Sequence, residues 1–324
     1  MKLDNLVKHL SNQSRIGLTP ELATKLGIAS AEVTRGRLLA QAEEGQSHLG
    51  VYLLAIYVVD DTDFWGDGEI YWWAIPALVD GAGKVHKDPL AGLPIGVPPH
   101  RCSDHEWLQN LSLQDPPLLA VIPPGDDVSS CVVRIGIYDD DGELADLPKA
   151  MTAGLEAFAA IGKEPLGSPD LLITPVRDAI YKSLKADDDD ILIEQSVPIR
   201  KGSVSRFSSG MVGVEINAMV RVYYFVRDET RTCQFGPINL SKGQHETVHF
   251  DVPIERGGRI AVFARGAEIC CPTLGDLTTD VPFKNKVVGP QQAQEFAKGF
   301  SVVGTGPAKL VAYYTPGPPM PKDD

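Results

Sequence analysis

From His48 the apolar residues of this chain fall on both parities. HLGVYLLAIYVVDD and GEIYWWAIPALVDGAGK are dense in aliphatic and aromatic side chains and end in Asp/Gly clusters. Runs of this kind bounded by turn formers predict strands, and apolar character on both parities predicts burial on both faces. LLAVIPP and SSCVVRIGIYDDD predict two more strands, after a Pro/Gly-rich connection over residues 85–116. A helical period then takes over. Leu147, Met151, Leu155 and Phe158 recur at i, i+4, i+8 and i+11, which predicts a helix over 146–161. GKEPLGSPD breaks it, and Thr174-Pro175 opens a second helix to residue 186, with Val176, Ile180 and Leu184 on one stripe. From Ile191 the chain is strand-like again through ILIEQSVPIR, GVEINAMVRVYYFVRD, ETVHFDVPIE, RIAVFARGAEICC and AKLVAYYTP, with a short helix near Gln291–Lys298.

The first 46 residues read as helical. Thr19-Pro20-Glu21 is an N-cap, a first-turn proline and an early acid. Leu22, Leu26 and Ile28 form one face, with Gly27 loosening it, and a second helix is expected from Ser30 to Glu44. A packing or oligomerising arm is favoured over a DNA-binding helix-turn-helix, because the second helix carries only Arg35 and Arg37. The expected fold is therefore mostly β. It has an N-terminal helical arm (1–46), a β-rich unit over 47–200 with a helical insertion at 146–187, and a second β-rich unit over 201–324.

Composition narrows the class. Apolar residues make up 43% and charged residues 23% of the 324, as in ordinary globular chains. The net charge of −13 excludes sequence-blind nucleic-acid binding, which needs clustered Lys/Arg. MKLDNLVKHLSNQSR has no apolar run of the secretory kind, and no stretch matches a membrane span, so a soluble, cytoplasmic protein is expected, with non-classical export left open. The five cysteines lack paired spacing and are expected to pack as small hydrophobes. Phosphate-loop, nucleophile-elbow, zinc-protease and dinucleotide fingerprints are absent from the sequence.

Three acidic clusters carry the candidate chemistry: Asp60, Asp61, Asp63 and Asp67; Asp139, Asp140 and Asp141; and Asp187 to Asp190. The first two directly follow apolar strands, and the third ends a helix, where the dipole disfavours carboxylates. Crowded carboxylates at one sheet end repel, and a hard cation removes that cost; Ca²⁺ takes six to eight oxygens in flexible geometry. An EF-hand does not fit. With Gly68 in the glycine position, Trp65 occupies a ligand position and Ala74 stands where a bidentate Glu belongs.

VVDDTDFWGDGEIYWWAIPAL resembles the first calcium loop of C2 domains, in which a second Asp follows the first by six residues and an aromatic-rich strand follows. Asp61 and Asp67 match that spacing. VVRIGIYDDDGELAD resembles the third C2 loop, with Tyr138, Asp139 and Asp141 matching its aromatic-Asp-x-Asp unit and Asp146 one residue short of the usual place. ADDDDILIEQ, with Asp188 and Asp189, resembles the end of such a loop interrupted by two helices. The resemblance covers about residues 48–200. The Pro-rich connection and the helical insertion depart from the compact family pattern.

The resemblance implies a C2-like sandwich that holds calcium through Asp61, Asp67, Asp139, Asp141, Asp188 and Asp189. Phe64 and Trp65 stand at the loop tip, where apolar residues of some such modules enter a membrane. The leading expectation is a calcium-dependent, non-catalytic module that engages a protein or membrane partner and no nucleic acid. A metal-dependent hydrolase using the same aspartates and a structural or assembly subunit with solvated acidic loops are the alternatives. The alternative fate of Trp65 is to fold back on the sandwich, and that of the aspartates is to cap turns. His100, Cys102 and His105, near Asp104 and Glu106, are a lesser candidate for a transition metal. Neither partner identity nor oligomeric state is fixed by the sequence.

Overall fold

The computed structural model describes residues 16–28, 48–60, 68–88, 92–108, 116–123, 128–140, 147–184, 190–200, 211–216, 219–229, 233–248, 259–271, 275–277, 284–288 and 300–315. After a short helix α1 (Pro20–Leu26) come strands β1 (Leu49–Val58), β2 (Gly68–Val79), β3 (Val85–His86), β4 (Ile95–Cys102), β5 (Glu106–Trp107), β6 (Leu118–Ile122) and β7 (Ser130–Asp139). Helices α2 (Leu147–Ala160) and α3 (Asp170–Leu184) follow, then β8 (Asp190–Arg200), β9 (Met211–Ile216) and β10 (Val220–Asp228).

Two antiparallel sheets face each other. One runs β5-β1-β10-β9 with β6 also on β1; the other runs β3-β2-β7-β8 with β4 also on β2. Their shared core takes Val51, Leu53, Ile56 and Val58 of β1 and Val220, Val222 and Val226 of β10. The second sheet adds Ile70 and Trp72 of β2, Ile135 and Ile137 of β7 and Val197 of β8. The alternate residues of β2, including Tyr71, Trp73 and Ile75, enter a second core beneath α2 and α3. Trp72 and Trp73 are both fully buried, on opposite faces of one strand. This is the two-sided burial that apolar residues on both parities predicted.

The helices form a third layer. Leu147, Met151, Leu155 and Phe158 of α2 and Val176 and Ile180 of α3 are buried against the sheet, as their spacing requires. Full burial of each large side chain contributes roughly 1.5–3 kcal/mol. Lys87 caps the end of α2, its Nζ donating to the carbonyls of Ala159 (3.1 Å) and Ile161 (2.5 Å) and lying 5.4 Å from the Phe158 ring centroid. A cation is favoured there by the helix dipole.

The start of α3 differs from expectation. The helix opens at Asp170, after Ser168-Pro169, and not at Thr174. Leu172 and Ile173 N–H groups both donate to the Pro169 carbonyl, at 3.0 and 2.9 Å. Pro175 lies inside the helix and cannot donate to the Leu171 carbonyl. Leu171 is 55% exposed, so solvent can serve that carbonyl.

The described residues of the N-terminal region, 16–28, pack on the helical layer. The Leu22 N–H donates to Thr19 Oγ1 at 3.2 Å, capping α1, and Leu22 and Leu26 join the core of the helical layer. Gly27 ends the helix: its φ of +68° is the left-handed conformation of a C-cap. The Thr152 hydroxyl donates to the Gly17 carbonyl at 3.0 Å and ties the arm to α2. The helix expected over 30–44 lies outside the described residues, as does the one near 291–298.

Within GVEINAMVRVYYFVRD, β9 and β10 pair antiparallel, with Arg221 opposite Ile216. β10 pairs with β1 from Leu49↔Asp228 to Val58↔Val220. The first sandwich therefore draws two strands from beyond residue 200, where the sequence placed a second unit. The cause is non-local: without β10, the long β1 would lack that neighbour on one side.

The remaining strands are β11 (Cys233–Leu240), β12 (His245–Val248), β13 (Arg259–Cys271), β14 (Gly275–Leu277), β15 (Lys284–Val288) and β16 (Phe300–Thr315). They form a separate antiparallel sheet, β11-β16-β13-β14, with β12 on β16 and β15 on β13. Among the described residues no helix is long and apolar enough to cross a membrane.

Candidate functional site

The acidic segments attach to one end of the sandwich. β1 ends at Val58 and β2 starts at Gly68, flanking the first cluster. Ile70 lies opposite Asp139, and Asp139 lies opposite Asp190, so the start of β2, the end of β7 and the start of β8 are side by side. The Asp140 N–H donates to the Glu69 carbonyl at 3.2 Å. Val59 and Asp60 N–H groups converge on the Met219 carbonyl, at 2.6 and 3.2 Å, which fixes the departure from β1. Cys102 opposite Gly68 and Glu106 opposite Val58 bring the β4–β5 turn to the same end.

Asp139 is the candidate ligand whose side chain is described. It shares the parity of Ile135 and Ile137, toward the space between the sheets, and is only 2% exposed. Its Oδ1 accepts the Glu69 N–H at 2.8 Å. A Cβ on Gly68 would lie 2.7 Å from its Oδ2, so the carboxylate takes the room glycine leaves. Asp61, Asp67, Asp141, Asp188 and Asp189, with Phe64 and Trp65, lie outside the described residues. Among the described residues no three His, Cys, Asp or Glu side chains gather closely enough to hold an ion. That removes the transition-metal candidate: Cys102 is buried, whereas His105 is exposed in a turn with φ of +58°.

Sequence reasoning missed a polar network directly behind Asp139. Tyr138, on the opposite parity, faces the helical layer, and its hydroxyl is hydrogen-bonded to that of Tyr181 on α3. Glu194 of β8 accepts the Tyr181 hydroxyl on Oε2 at 2.7 Å, while the Tyr138 hydroxyl donates to Tyr181 and lies 3.3 Å from the same Oε2. Its Oε1 accepts from Arg134 Nε at 2.9 Å and from Arg177 Nη1 at 3.3 Å. Tyr71 stacks on Tyr138 at 5.2 Å, and Trp73 meets Tyr181 edge-on at 6.3 Å. Burial opposes ionisation of Glu194, but the Tyr181 hydrogen bond and Arg134 outweigh it and hold the carboxyl below its usual range. Burial, with the Glu194 charge, pushes the Tyr181 phenol up to about 12 and that of Tyr138 higher still. The available signal was a lone charge in each of two apolar strands, Arg134 in CVVRIGIY and Glu194 in ILIEQ.

A second network lies toward the other end of β1. Arg227 donates to both oxygens of Glu229, at 2.7 and 3.0 Å, and to the Tyr52 hydroxyl at 3.0 Å. Tyr52 in turn donates to Glu229 Oε1 at 2.7 Å. Tyr52, Arg227 and Glu229 are all buried. Burial raises the Glu229 carboxyl despite Arg227, and it raises the Tyr52 phenol. Six residues of strand, roughly 20 Å, separate Tyr52 from Val58 at the acidic end.

No family model and no curated protein matches the chain. Solved structures similar to it include human GIVD cytosolic phospholipase A2 in complex with methyl gamma-linolenyl fluorophosphonate inhibitor and terbium chloride. That match has a TM-score of 0.24 and 10% identity, over 84% of this chain and 32% of the other. Another structure of human GIVD cytosolic phospholipase A2 gives a TM-score of 0.23 and 8% identity, over 85% and 33%. The regulatory domain of Toxoplasma gondii PKA with cAMP gives a TM-score of 0.16 and 12% identity, over 97% and 88%. The chain thus spans about a third of the phospholipase chain. At these scores none of the three bears on the function.

Proposed function

We propose that this chain is a calcium-dependent, non-catalytic binding module whose acidic end engages a partner. One observation carries the reading: the strand ends that bear the three aspartate clusters are neighbours at one end of the sandwich, around a buried Asp139 carboxylate. The donor set is carboxylate oxygen, which suits a hard cation needing six to eight oxygens from more than one segment. Asp139 supplies a carboxylate already oriented by the Glu69 N–H. Asp61 and Asp67, Asp141, and Asp188 and Asp189 are the further ligands. Calcium supplies the charge that cancels their mutual repulsion. Phe64 and Trp65, inside the first cluster, are then the residues that meet the partner. A protein partner is favoured over an anionic membrane, because the chain carries a net charge of −13.

Thermal unfolding of the full chain in calcium and in chelator tests the reading. Calcium at 100 times its dissociation constant raises stability by about 2.7 kcal/mol and the melting temperature with it. An unchanged melting temperature overturns the metal. Sedimentation with anionic vesicles, with and without calcium, for the parent and Phe64→Ala/Trp65→Ala, separates the partners. Calcium-dependent sedimentation lost in the variant assigns the membrane, and no sedimentation keeps the protein partner.

A further inference from the structure

We propose that Tyr138, Tyr181 and Glu194 are positioning residues: a staple that sets the strand and helix ends bearing two of the acidic clusters. The inference rests on the calcium reading above and specifies how that site is held. α3 ends at Leu184 and β8 begins at Asp190, so the run Asp187 to Asp190 joins them. Tyr181 lies in the last turn of α3, and Glu194 lies four residues into β8. Their 2.7 Å hydrogen bond ties the two ends that flank the run.

Tyr138 immediately precedes Asp139, and its hydroxyl joins the same pair. Adjacent residues of a strand point to opposite faces, so a shift of Tyr138 on the helical side moves Asp139 on the core side. One carboxylate therefore sets the register of the end of β7, the start of β8 and the end of α3. Arg134 of β7 and Arg177 of α3 hold that carboxylate ionised from two more directions. Tyr71 and Trp73 pack against the two phenol rings and hold them in place, and a charged acceptor makes their hydrogen bond to Glu194 stronger than a neutral one. None of these side chains needs to touch the ion. They fix the strand and helix ends from which the acidic runs leave.

The test compares the parent with the full-length double variant Tyr138→Phe/Tyr181→Phe, and with Tyr181→Phe alone. Both keep the rings and remove hydroxyls only. Calcium calorimetry, thermal melting and amide exchange over 139–146 and 185–190 are read together. The expected result is an affinity for calcium at least ten-fold weaker in the double variant, with a modestly lowered melting temperature and faster exchange in both segments. A purely structural role moves melting without that loss of affinity. A parent that binds calcium and a double variant that binds it equally well overturn the staple. A parent that binds no calcium sinks the metal reading instead. The staple then stands on exchange alone: acceleration confined to those segments supports it, and unchanged exchange overturns it. Should the double variant fail to fold, the same criteria apply to Tyr181→Phe.

Discussion

Glu194 and Glu229 each sit with arginine and tyrosine on the outward side of a sheet, yet their carboxyls move in opposite directions. Glu194 is 13% exposed and meets two arginines and the Tyr181 phenol, which together outweigh the cost of burial. Glu229 is 2% exposed and meets one arginine and one phenol, with Asp228 adding a like charge. The number of partners, set against loss of water, decides the sign. The difference divides the sandwich by role. The Glu229 network is closed and dry, a fixed anchor between β1 and β10. The Glu194 network is partly exposed and lies beside the acidic end.

Breaking the anchor is the largest test of this contrast. Glu229→Leu leaves Arg227 buried without its carboxylate and is expected to cost about 3–5 kcal/mol by urea unfolding. Arg227→Met/Glu229→Leu together is expected to cost far less, because no buried charge is orphaned. Additive losses in the double variant would contradict the account. Glu194→Leu is expected to cost about 1–3 kcal/mol, since water can still reach Arg134 and Arg177. A loss as large as that of Glu229→Leu erases the distinction between the two networks.

Gly68→Ala pushes a methyl into the Asp139 carboxylate and is expected to cost about 1–3 kcal/mol while weakening calcium binding. Parent-like stability and affinity would show that the acidic end is looser than the close approach implies.

The pH dependence gives the smallest signal. Glu194, with its folded pKa below the unfolded value of about 4.3, stabilises the fold above that value and loses the contribution as pH falls through the folded pKa. Glu229 is displaced upward, so its contribution is complete below the unfolded value and lost as pH rises through the folded pKa. Glu194→Gln is therefore expected to flatten the acid-side decline in stability. An acid limb as steep as the parent's would assign that decline to other carboxylates.

Short-range pattern made part of this legible. Apolar residues on both parities of GEIYWWAIPALV anticipated a strand buried on both faces, and Leu147, Met151, Leu155 and Phe158 anticipated the α2 stripe. The start of α3 was written in the sequence too. Ser168-Pro169-Asp170 repeats the pattern of Thr19-Pro20-Glu21, but lies within a segment read as a breaker. What stayed hidden is non-local. The pairing of β10 with β1 joins residues 220–228 to 49–58, and periodicity does not choose between partners. Tyr138 meets Tyr181 and Glu194 across 43 and 56 residues, and each alone reads as an ordinary strand or helix residue. Among the proposed ligands, Asp139 alone has a described environment, and its burial beneath the acidic end was not evident from DDD.

Calorimetric titration of calcium into the parent and into Asp139→Asn tests the central claim most directly. Asparagine keeps the shape and can still accept the Glu69 N–H, so the change isolates the charge at the buried position. The account predicts saturable binding in the parent and an affinity at least ten-fold weaker in the variant. No calcium heat in the parent, or equal affinity in the two, would contradict it.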